Sequence, residues 1–334
     1  MEEQPVVNNI FYTGPLKDYI KNFVALKRAI GCKYNFEESR LKCFDRFMLE
    51  KYPNATALSK EIVIDWCSKK AYETRANQRI RVCIIRQFGK YLDSIGIKAY
   101  IIPRKYYPTE RKYMPYIYTI DELERFFKQT DKCRYHYEGS YRHLIMPVIF
   151  RMIYMCGLRA SEARLLKVGD VDLRNGVLTI RNSKNNNSRL VPMSDLLTKL
   201  CRTFSKKVHP DPITENYYFP ALGGKPMTFG NLYCNFRRFL WRAKISHRGR
   251  GYGPRLHDFR HVYAVHCLKK WVDQKKDLNV YLPILKTYMG HDSFSETAYY
   301  LRLTADVFPD ITLKLEGLYS EIIPKLEGDI DEAN

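Results

Sequence analysis

The stretch Cys156-Gly157-Leu158-Arg159-Ala160-Ser161-Glu162 marks a helix boundary in the second half of this 334-residue chain. Apolar residues recur at helical spacing over residues 144–153, and Gly157 is typical of a helix C-terminus. Arg159 is therefore predicted to project from a rigid element, where its planar guanidinium can bind two phosphate oxygens. Glu162 is predicted to hold Arg159, or a neighbouring catalytic side chain, in place. An ordinary surface Arg–Glu pair is the alternative.

The segments around this boundary predict more helices and a small hairpin. Upstream, Thr119-Ile120-Asp121-Glu122 is a capping box that opens a helix, and downstream residues 161–168 are predicted to form another. Residues 177–180 and 189–192 are β-rich and flank a polar turn, so they predict two strands of a hairpin. Lys184 lies in that turn and can reach a bound nucleic-acid backbone as a proton donor; a solvated turn lysine is the alternative.

The first third of the chain has helical periodicity throughout and predicts a small bundle of four helices. Asn35 is a plausible N-cap of the second helix, and residues 59–62 precede the third. The fourth helix is predicted to end near Gly96. The apolar residues that define these four helices are Leu16, Tyr19, Ile20, Phe23, Val24, Leu41, Phe44, Phe47, Met48, Ile62, Trp66, Ile80, Ile84, Phe88 and Tyr91.

A proline-rich and basic segment, residues 103–116, separates the two halves and is predicted to be a linker. Its cations suit a strap along a phosphate backbone, although a merely soluble linker is the alternative. On this basis we predict that four linker residues contact DNA: Arg104, Lys105, Arg111 and Lys112. One arginine at the second hairpin strand, Arg189, is also predicted to contact DNA.

The net charge of +20 and a pI of about 9.5 favour a polyanionic partner, because basic residues that neutralise phosphates release counterions. Residues 1–116 carry 22 Lys and Arg against 12 Asp and Glu, a net +10, and the remaining 218 residues carry the other +10. The first third therefore has nearly twice the charge density, which fits a domain that grips DNA. A solvated basic surface, or an acidic protein partner, is the alternative.

The nine cysteines are scattered, form no Cys-x-x-Cys pair and are odd in number, so reduced thiols in apolar surroundings are expected and no zinc site. The N-terminus lacks a signal-peptide pattern, and no stretch approaches the roughly 18 apolar residues of a membrane span. The sequence therefore predicts a cytoplasmic protein without a membrane partner.

The C-terminal third contributes the remaining candidate catalytic residues. His257-Asp258-Phe259-Arg260-His261 places a histidine and an arginine three apart, on one face if helical, although a capped helix start is the competing interpretation. Gly290-His291 follows an apolar helix, and Tyr300 comes nine residues later. His261 and the nearby His266 are predicted to be structural. Two arginines, a lysine and two histidines would form a positive cage for a phosphodiester, with Tyr300 as nucleophile; a pair of core aromatic residues at 299–300 is the alternative.

These motifs, in this order, resemble those of the tyrosine recombinase family, the phage integrases and Xer-type recombinases. That family shows Gly-Leu-Arg-x-Ser-Glu, a hairpin lysine, His-x-x-Arg-His, Gly-His, and a tyrosine about nine residues after the last histidine. The resemblance covers residues 117–312 by motif and the N-terminal helical domain by architecture only. It implies that Arg159 and Arg260 clamp the scissile phosphate, His257 acts as acid and base, and His291 hydrogen-bonds the phosphate.

The resemblance further implies that Lys184 protonates the leaving 5′-oxygen, Glu162 supports the site and Tyr300 forms a 3′-phosphotyrosine. Neither ATP nor a metal is expected, since the covalent link retains the bond energy and the cage supplies the positive charge. The functional unit would be a homo-tetramer on two paired double-stranded DNA sites, which exchanges strands through a Holliday junction. Accessory proteins of a mobile element are possible partners.

The fold class that follows is mainly α. A helical-bundle DNA-binding domain precedes a mixed α+β, mostly helical, catalytic domain with a small antiparallel sheet. The expected organisation is a flexible lead (1–14), a helical core-binding, SAM-like domain (15–102), the linker (103–116), the catalytic domain (117–311) and a C-terminal helix and tail (312–334). That last helix, with apolar residues between 313 and 323, would dock on a neighbouring subunit or pack on its own domain.

The segments 247–255 and 300–305 look like those of stand-alone integrases of bacterial transposable elements. Only about 14 residues precede the bundle, so no additional arm-binding domain is expected. The sequence thus favours mobilisation of a DNA element, for which integration and transposition are the expected activities. Xer-type resolution of chromosome or plasmid dimers, a type IB topoisomerase and a DNA-binding protein without catalysis are the alternatives.

Overall fold

The computed structural model describes residues 12–104, 106, 114–135, 141–181, 188–248 and 253–307, with the backbone alone at 302 and 305–307. The chain divides into two compact units, Met1–Lys112 and Tyr113–Asn334, and the division falls within the predicted linker. Across the described ranges, no helix has the length and apolar character needed to cross a membrane. The predicted C-terminal helix lies outside these ranges.

The described part of the first unit is helical, as the periodicity predicts. Ser59 caps the third helix by accepting a hydrogen bond from the backbone of Ile62, and Thr74 caps the fourth in the same way. The four helices are α1 (Lys17–Ala29), α2 (Asn35–Lys51), α3 (Lys60–Cys67) and α4 (Arg75–Ser94).

Aromatic side chains fill the core of this unit, with Phe44 in contact with the rings of both Trp66 and Phe88. The prediction that Asn35 caps α2 is wrong. Tyr34 occupies the cap position in a left-handed conformation (φ 50°), without a side-chain cap, and Asn35 is the first helical residue. Tyr34 packs edge-on against Phe23 and is buried, so core packing rather than capping fixes this helix start.

The second unit opens with the predicted capping box, in which Thr119 and Glu122 exchange hydrogen bonds with each other's backbone. Gly157 (φ +58°) follows the end of the apolar helix α6, again as predicted. The helices of the described residues are α5 (Ile120–Asp131), α6 (Arg142–Met155), α7 (Ala160–Arg164), α8 (Asp195–Val208), α9 (Phe229–Arg242), α10 (Asp258–Asp273), α11 (Leu278–Met289) and α12 (Phe294–Val307).

A small antiparallel sheet accompanies these helices, with the strand order β1-β2-β3. The strands β2 (Val177–Ile180) and β3 (Arg189–Pro192) have the predicted bounds, and Val177 pairs with Pro192. The sequence did not predict β1 (Val171–Asp172), because two residues are too few to show an alternating pattern. The mainly helical fold with a small antiparallel sheet is confirmed.

The helix predicted over residues 161–168 is shorter than expected, since α7 ends at Arg164. Beyond it, the backbone of Val168 donates to Asn216, and that of Gly169 donates to Thr214. These bonds to residues 214–216 compete with continued helix formation. The chain then enters β1 instead of extending α7.

Two hydrophobic cores support the second unit, and α10 takes part in both. Phe259 and Val262 belong to the large core, which includes residues of α5 to α9. Val265 and Leu268 belong to a smaller core, which they share with α11 and with Tyr300 and Leu303 of α12. The helix that carries the His-x-x-Arg motif therefore joins the two cores.

Candidate active site

Arg159 lies at the N-cap position of α7 in an extended conformation, directly after the turn at Gly157. A Cβ atom at Gly157 would come within 2.6 Å of the ring of Tyr263, so the turn requires glycine for space as well as for its positive φ. Glu162 accepts hydrogen bonds from the backbone of Arg159 (2.8 Å) and from its guanidinium (2.9 Å). Glu162, three residues further along the chain, thus holds both the backbone and the guanidinium of Arg159.

The C-terminal end of α11 holds three arginines through three successive backbone carbonyls. Arg189 donates to the carbonyl of Tyr288 (2.7 Å), Arg260 to that of Met289, and Arg159 to that of Gly290 (2.8 Å). Carbonyl groups at a helix C-terminus lack intrahelical partners and carry partial negative charge. Arginines from three distant parts of the chain therefore converge on one helix end.

Arg260 is the most enclosed of the three, with 1% of its surface exposed. It also donates to the carbonyl of Gly157 (2.7 Å), so it ties the Arg159 turn to the end of α11. Burial, and next the charge of Arg159, lower the pKa of Arg260 to about 10. The guanidinium therefore remains charged at neutral pH.

Glu162 bridges two of these arginines, and its side chain is 3% exposed. It binds Arg159, and it accepts two hydrogen bonds from Arg189 at 2.9 and 2.8 Å. Arg189 was predicted to contact DNA. Its side chain is only 7% exposed and is bonded to Glu162 and to the carbonyl of Tyr288. We therefore interpret Arg189 as a positioning residue.

Three histidines line the other side of the site. The rings of His257 and His261 lie edge to face, with centroids 4.8 Å apart. His291 follows α11, and its Nδ1 lies 2.9 Å from the hydroxyl of Thr297. His261, which was predicted to be structural, lies beside Tyr300 within the site. The sequence contains a signal for this position, since His261 is the last residue of the His-x-x-Arg-His motif.

The pKa values of these histidines are lowered, first by loss of solvation and then by positive neighbours. The pKa of His257 falls to about 4, with Arg260 and Arg159 as its nearby charges. The pKa values of His261 and His291 fall to about 3. His257 is exposed to solvent, so it is reachable by a substrate, and the lowered pKa leaves it neutral at pH 7.

Tyr300 lies between the arginines and the histidines with 3% of its surface exposed. Its hydroxyl lies 3.0 Å from Nδ1 of His261. Its ring stacks on His291, with centroids 5.7 Å apart and planes 12° apart. Burial raises the pKa of Tyr300 to about 12, against the opposing effect of Arg260, so the phenol is protonated at neutral pH.

The structure thus brings together Arg159, Glu162, His257, Arg260, His291 and Tyr300 from the predicted set. Arg104 is exposed in a turn of the first unit. Lys184, Lys105, Arg111 and Lys112 lie outside the described residues. In the ranges that are described, no three His, Cys, Asp or Glu side chains form a potential metal site.

The arrangement has two sides with distinct chemistry. We call Arg159, Arg189, Arg260 and Glu162 the arginine side, where three guanidinium charges accompany one carboxylate. We call His257, His261, His291 and Tyr300 the histidine–tyrosine side, which is neutral at pH 7. The arginine side can bind a phosphodiester anion. The histidine–tyrosine side places a base that can accept a proton beside a hydroxyl that can act as a nucleophile.

Comparison with known proteins supports this chemistry. The phage integrase family model matches residues 118–306, which is more than half of the chain. The putative integrase/recombinase y4rB of Sinorhizobium fredii (strain NBRC 101917 / NGR234) is 28% identical over 310 residues, which span 90% of this chain and 97% of that protein. Tyrosine recombinase XerA of Pyrococcus furiosus is 29% identical over 161 residues, 47% of this chain and 50% of XerA.

A solved structure of the Tn1549 transposon integrase, in complex with a circular intermediate DNA, has a similar fold. The alignment covers 84% of this chain and 94% of that one, with a TM-score of 0.61 and 14% sequence identity. At that identity the likeness shows a shared fold, and the family model supplies the assignment. The chain belongs to the phage integrase family of tyrosine recombinases, enzymes that cleave DNA and exchange its strands.

Proposed function

We propose that this recombinase moves a mobile genetic element by site-specific strand exchange, with Tyr300 as the nucleophile. The observation that carries the proposal is the position of the Tyr300 hydroxyl. It lies inside the site, hydrogen-bonded to His261 and near the positive charge of Arg260, with the ring of His291 stacked alongside. A buried tyrosine in the core would not need a guanidinium and an imidazole at its hydroxyl.

In the proposed reaction, Arg159 and Arg260 bind the non-bridging oxygens of the scissile phosphate. Their guanidinium groups are already oriented by the carbonyls of Gly290, Met289 and Gly157, so they stabilise developing charge without reorganising. His291 hydrogen-bonds the phosphate, while its Nδ1 is close to Thr297. Glu162 and Arg189 support this geometry.

The chemical step is a transfer of the phosphoryl group to tyrosine. The Tyr300 oxygen bonds to phosphorus and its proton passes to a histidine of the site, while the bond to the 5′-oxygen breaks and Lys184 gives that oxygen a proton. His257, which remains reachable from solvent, serves as acid and base. Attack by the 5′-hydroxyl of a second DNA site on the 3′-phosphotyrosine then reverses the step, and a second round resolves the Holliday junction.

The proposed assembly is a tetramer on two paired DNA sites, with the helical N-terminal unit and the catalytic unit both bound to DNA. Exposed Arg104, together with Lys105, Arg111 and Lys112 of the linker, would contact the phosphate backbone. The charge of +10 on residues 1–116 supports this placement.

Two findings support the mobile-element role. The putative integrase/recombinase of Sinorhizobium fredii matches this chain along 90% of its length, and the transposon integrase shares its fold. Xer-type dimer resolution is the second candidate, favoured by the match to XerA, which covers about half of the chain.

A recombination assay tests the proposal. The DNA that flanks the gene is placed on two plasmids, with the purified protein added, and strand exchange is scored by the size of the joined products. We expect recombinant junctions at the ends of the element. Exchange only at a chromosomal dimer-resolution site would favour the Xer role, and relaxation of supercoils without exchange would favour a topoisomerase.

A further inference from the structure

His261 occupies a position that the family motifs leave without a role. It lies on α10 directly after Arg260, and its Nδ1 is 3.0 Å from the hydroxyl of Tyr300. In the described region His261 is hydrogen-bonded to that hydroxyl, and the guanidinium of Arg260 is near enough to lower the pKa of Tyr300. The stacked ring of His291 faces the tyrosine ring, and its Nδ1 is directed to Thr297 instead.

Only one of the two partners can take a proton. A guanidinium has donors and no acceptor, so Arg260 can only donate to the Tyr300 oxygen. A neutral imidazole protonated at Nε2 offers the lone pair of Nδ1 as an acceptor. With this tautomer, the hydroxyl of Tyr300 donates its proton to Nδ1 of His261.

We infer that His261, rather than His257, is the catalytic residue that accepts the proton of Tyr300 as the tyrosine oxygen attacks phosphorus. In this step the Oη–P bond forms, the P–O5′ bond breaks, the Tyr300 proton moves to Nδ1 of His261, and the leaving 5′-oxygen takes a proton from Lys184. In the rejoining step His261 returns the proton to Tyr300. The inference rests on the proposed role of Tyr300 as nucleophile.

The electrostatic surroundings allow His261 to be neutral before DNA binds and more basic afterwards. The groups that face it are His257 and Arg260 on its own helix, His291 after α11, and Tyr299 and Tyr300 on α12. Burial and the positive neighbours lower the pKa of His261. A phosphodiester anion between Arg159 and Arg260 would offset that positive potential and raise the pKa again.

The structure offers a matched control on the same helix. His266 of α10 also makes a histidine–tyrosine contact, with its Nδ1 3.1 Å from the hydroxyl of Tyr154. Its partner belongs to α6 rather than to the nucleophile helix. His266→Asn therefore makes the same substitution as His261→Asn and also removes an imidazole from a tyrosine hydroxyl, but it leaves the surroundings of Tyr300 unchanged.

The test measures single-turnover formation of the covalent complex on a nicked suicide substrate for His261→Asn and His261→Phe. Asparagine retains a hydrogen-bond acceptor near the Nδ1 position but is not a base. We expect both variants to be slower by about 10²–10³-fold, and His266→Asn to match the parent protein. His261→Asn at the parental rate would overturn the inference, since a hydrogen bond alone would then suffice.

Two further readouts separate proton transfer from a structural role. Without its base, His261→Asn should gain rate by about tenfold per pH unit between pH 6 and 9, whereas the parent should reach a plateau. A substrate with a 5′-bridging sulfur, which needs no proton on leaving, should rescue Lys184→Ala and leave His261→Asn slow. An equal loss at every pH, or rescue of His261→Asn by sulfur, would contradict proton acceptance.

One additional variant keeps this inference distinct from the proposed function. Tyr300→Phe should form no covalent complex in the same assay. A complex that persists in Tyr300→Phe would refute the nucleophile assignment itself, and the inference about His261 with it. Loss in Tyr300→Phe, together with a parental rate in His261→Phe, would refute the role of His261 alone.

Discussion

The arginine side and the histidine–tyrosine side of the site are held by different means. On the arginine side, Arg159, Arg189 and Arg260 each donate to a backbone carbonyl at the end of α11. On the other side, Tyr300 is held through side chains, by a hydrogen bond to His261 and by stacking on His291. Tyr300 also belongs to the smaller core of α10, α11 and α12, while Leu158 beside Arg159 belongs to the larger one.

This difference separates two requirements of phosphoryl transfer. Groups that stabilise charge work best when folding has oriented them before the substrate arrives. A nucleophile must instead lose a proton and move toward phosphorus during the reaction, so weaker and neutral contacts suit it. The structure meets the first requirement with backbone carbonyls and the second with imidazole and phenol groups.

Loss of Arg260 should have the largest effect, because this residue joins the two sides. Arg260→Ala removes the positive charge that lowers the pKa of Tyr300 and leaves the carbonyls of Gly157 and Met289 without their arginine. We expect single-turnover cleavage to fall by about 10³-fold. Arg260→Lys keeps the charge but not the planar fork, and it should recover only part of the rate. If Arg260→Ala cleaves at a rate within tenfold of the parent, Arg260 does not link the two sides.

Glu162→Gln tests whether the arginine side depends on its bridging carboxylate. The substitution replaces charge-assisted bonds to Arg159 and Arg189 with neutral ones. A loss of about 1.5–3 kcal/mol in those bonds predicts cleavage slower by roughly 10–150-fold. The matched control is Glu215→Gln, whose carboxylate pairs with Lys167 at an exposed site. Equal rates for the two variants would count against a bridging role.

Gly290→Ala tests the shape of the helix end that binds the arginines. The positive φ of +63° disfavours alanine, and the added Cβ would lie 3.0 Å from the guanidinium of Arg189. We expect a loss of about 1–3 kcal/mol in stability together with slower cleavage. Gly224→Ala carries the same backbone strain (φ +72°) with no atom within 4 Å of its Cβ. It should lose stability in denaturant titrations and keep its cleavage rate.

The neutral histidines predict a smaller effect, on stability against pH. The folded-state pKa values of His257, His261 and His291 are about 4, 3 and 3, below the ordinary 6.5. Unfolding therefore takes up protons below pH 6.5. Their contribution to stability is complete above 6.5 and declines as the pH falls toward 3. Urea midpoints at pH 7 and pH 5 should differ less in His261→Asn than in the parent, and an equal difference would contradict the buried neutral state.

Local features were predictable from sequence, whereas the long-range contacts of the site were not. The strand bounds of β2 and β3 and the capping box at Thr119 follow from patterns within a few residues, and the structure has them as predicted. The helix over 161–168 and the cap at Asn35 were wrong, because pairing with residues 214–216 and packing of Tyr34 outweigh local preference.

The same distinction holds within the site. The motifs identified which residues belong together, but their order gives no geometry. The bonds from Arg159 to Gly290 and from Arg189 to Tyr288 join residues 131 and 99 positions apart. The contact of His261 with Tyr300 spans 39 positions. Periodicity and caps carry no information at such separations, so the contacts of Arg189 and His261 are visible only in the fold.

The most direct test of the account is to identify the residue that becomes linked to DNA. The protein is incubated with a nicked suicide substrate, digested with protease, and the DNA-linked peptide is sequenced by mass spectrometry. We expect phosphotyrosine at Tyr300, with loss of the adduct in Tyr300→Phe and retention in Tyr299→Phe. Linkage at Tyr299, or an adduct that persists in Tyr300→Phe, would contradict the central claim that Tyr300 is the nucleophile.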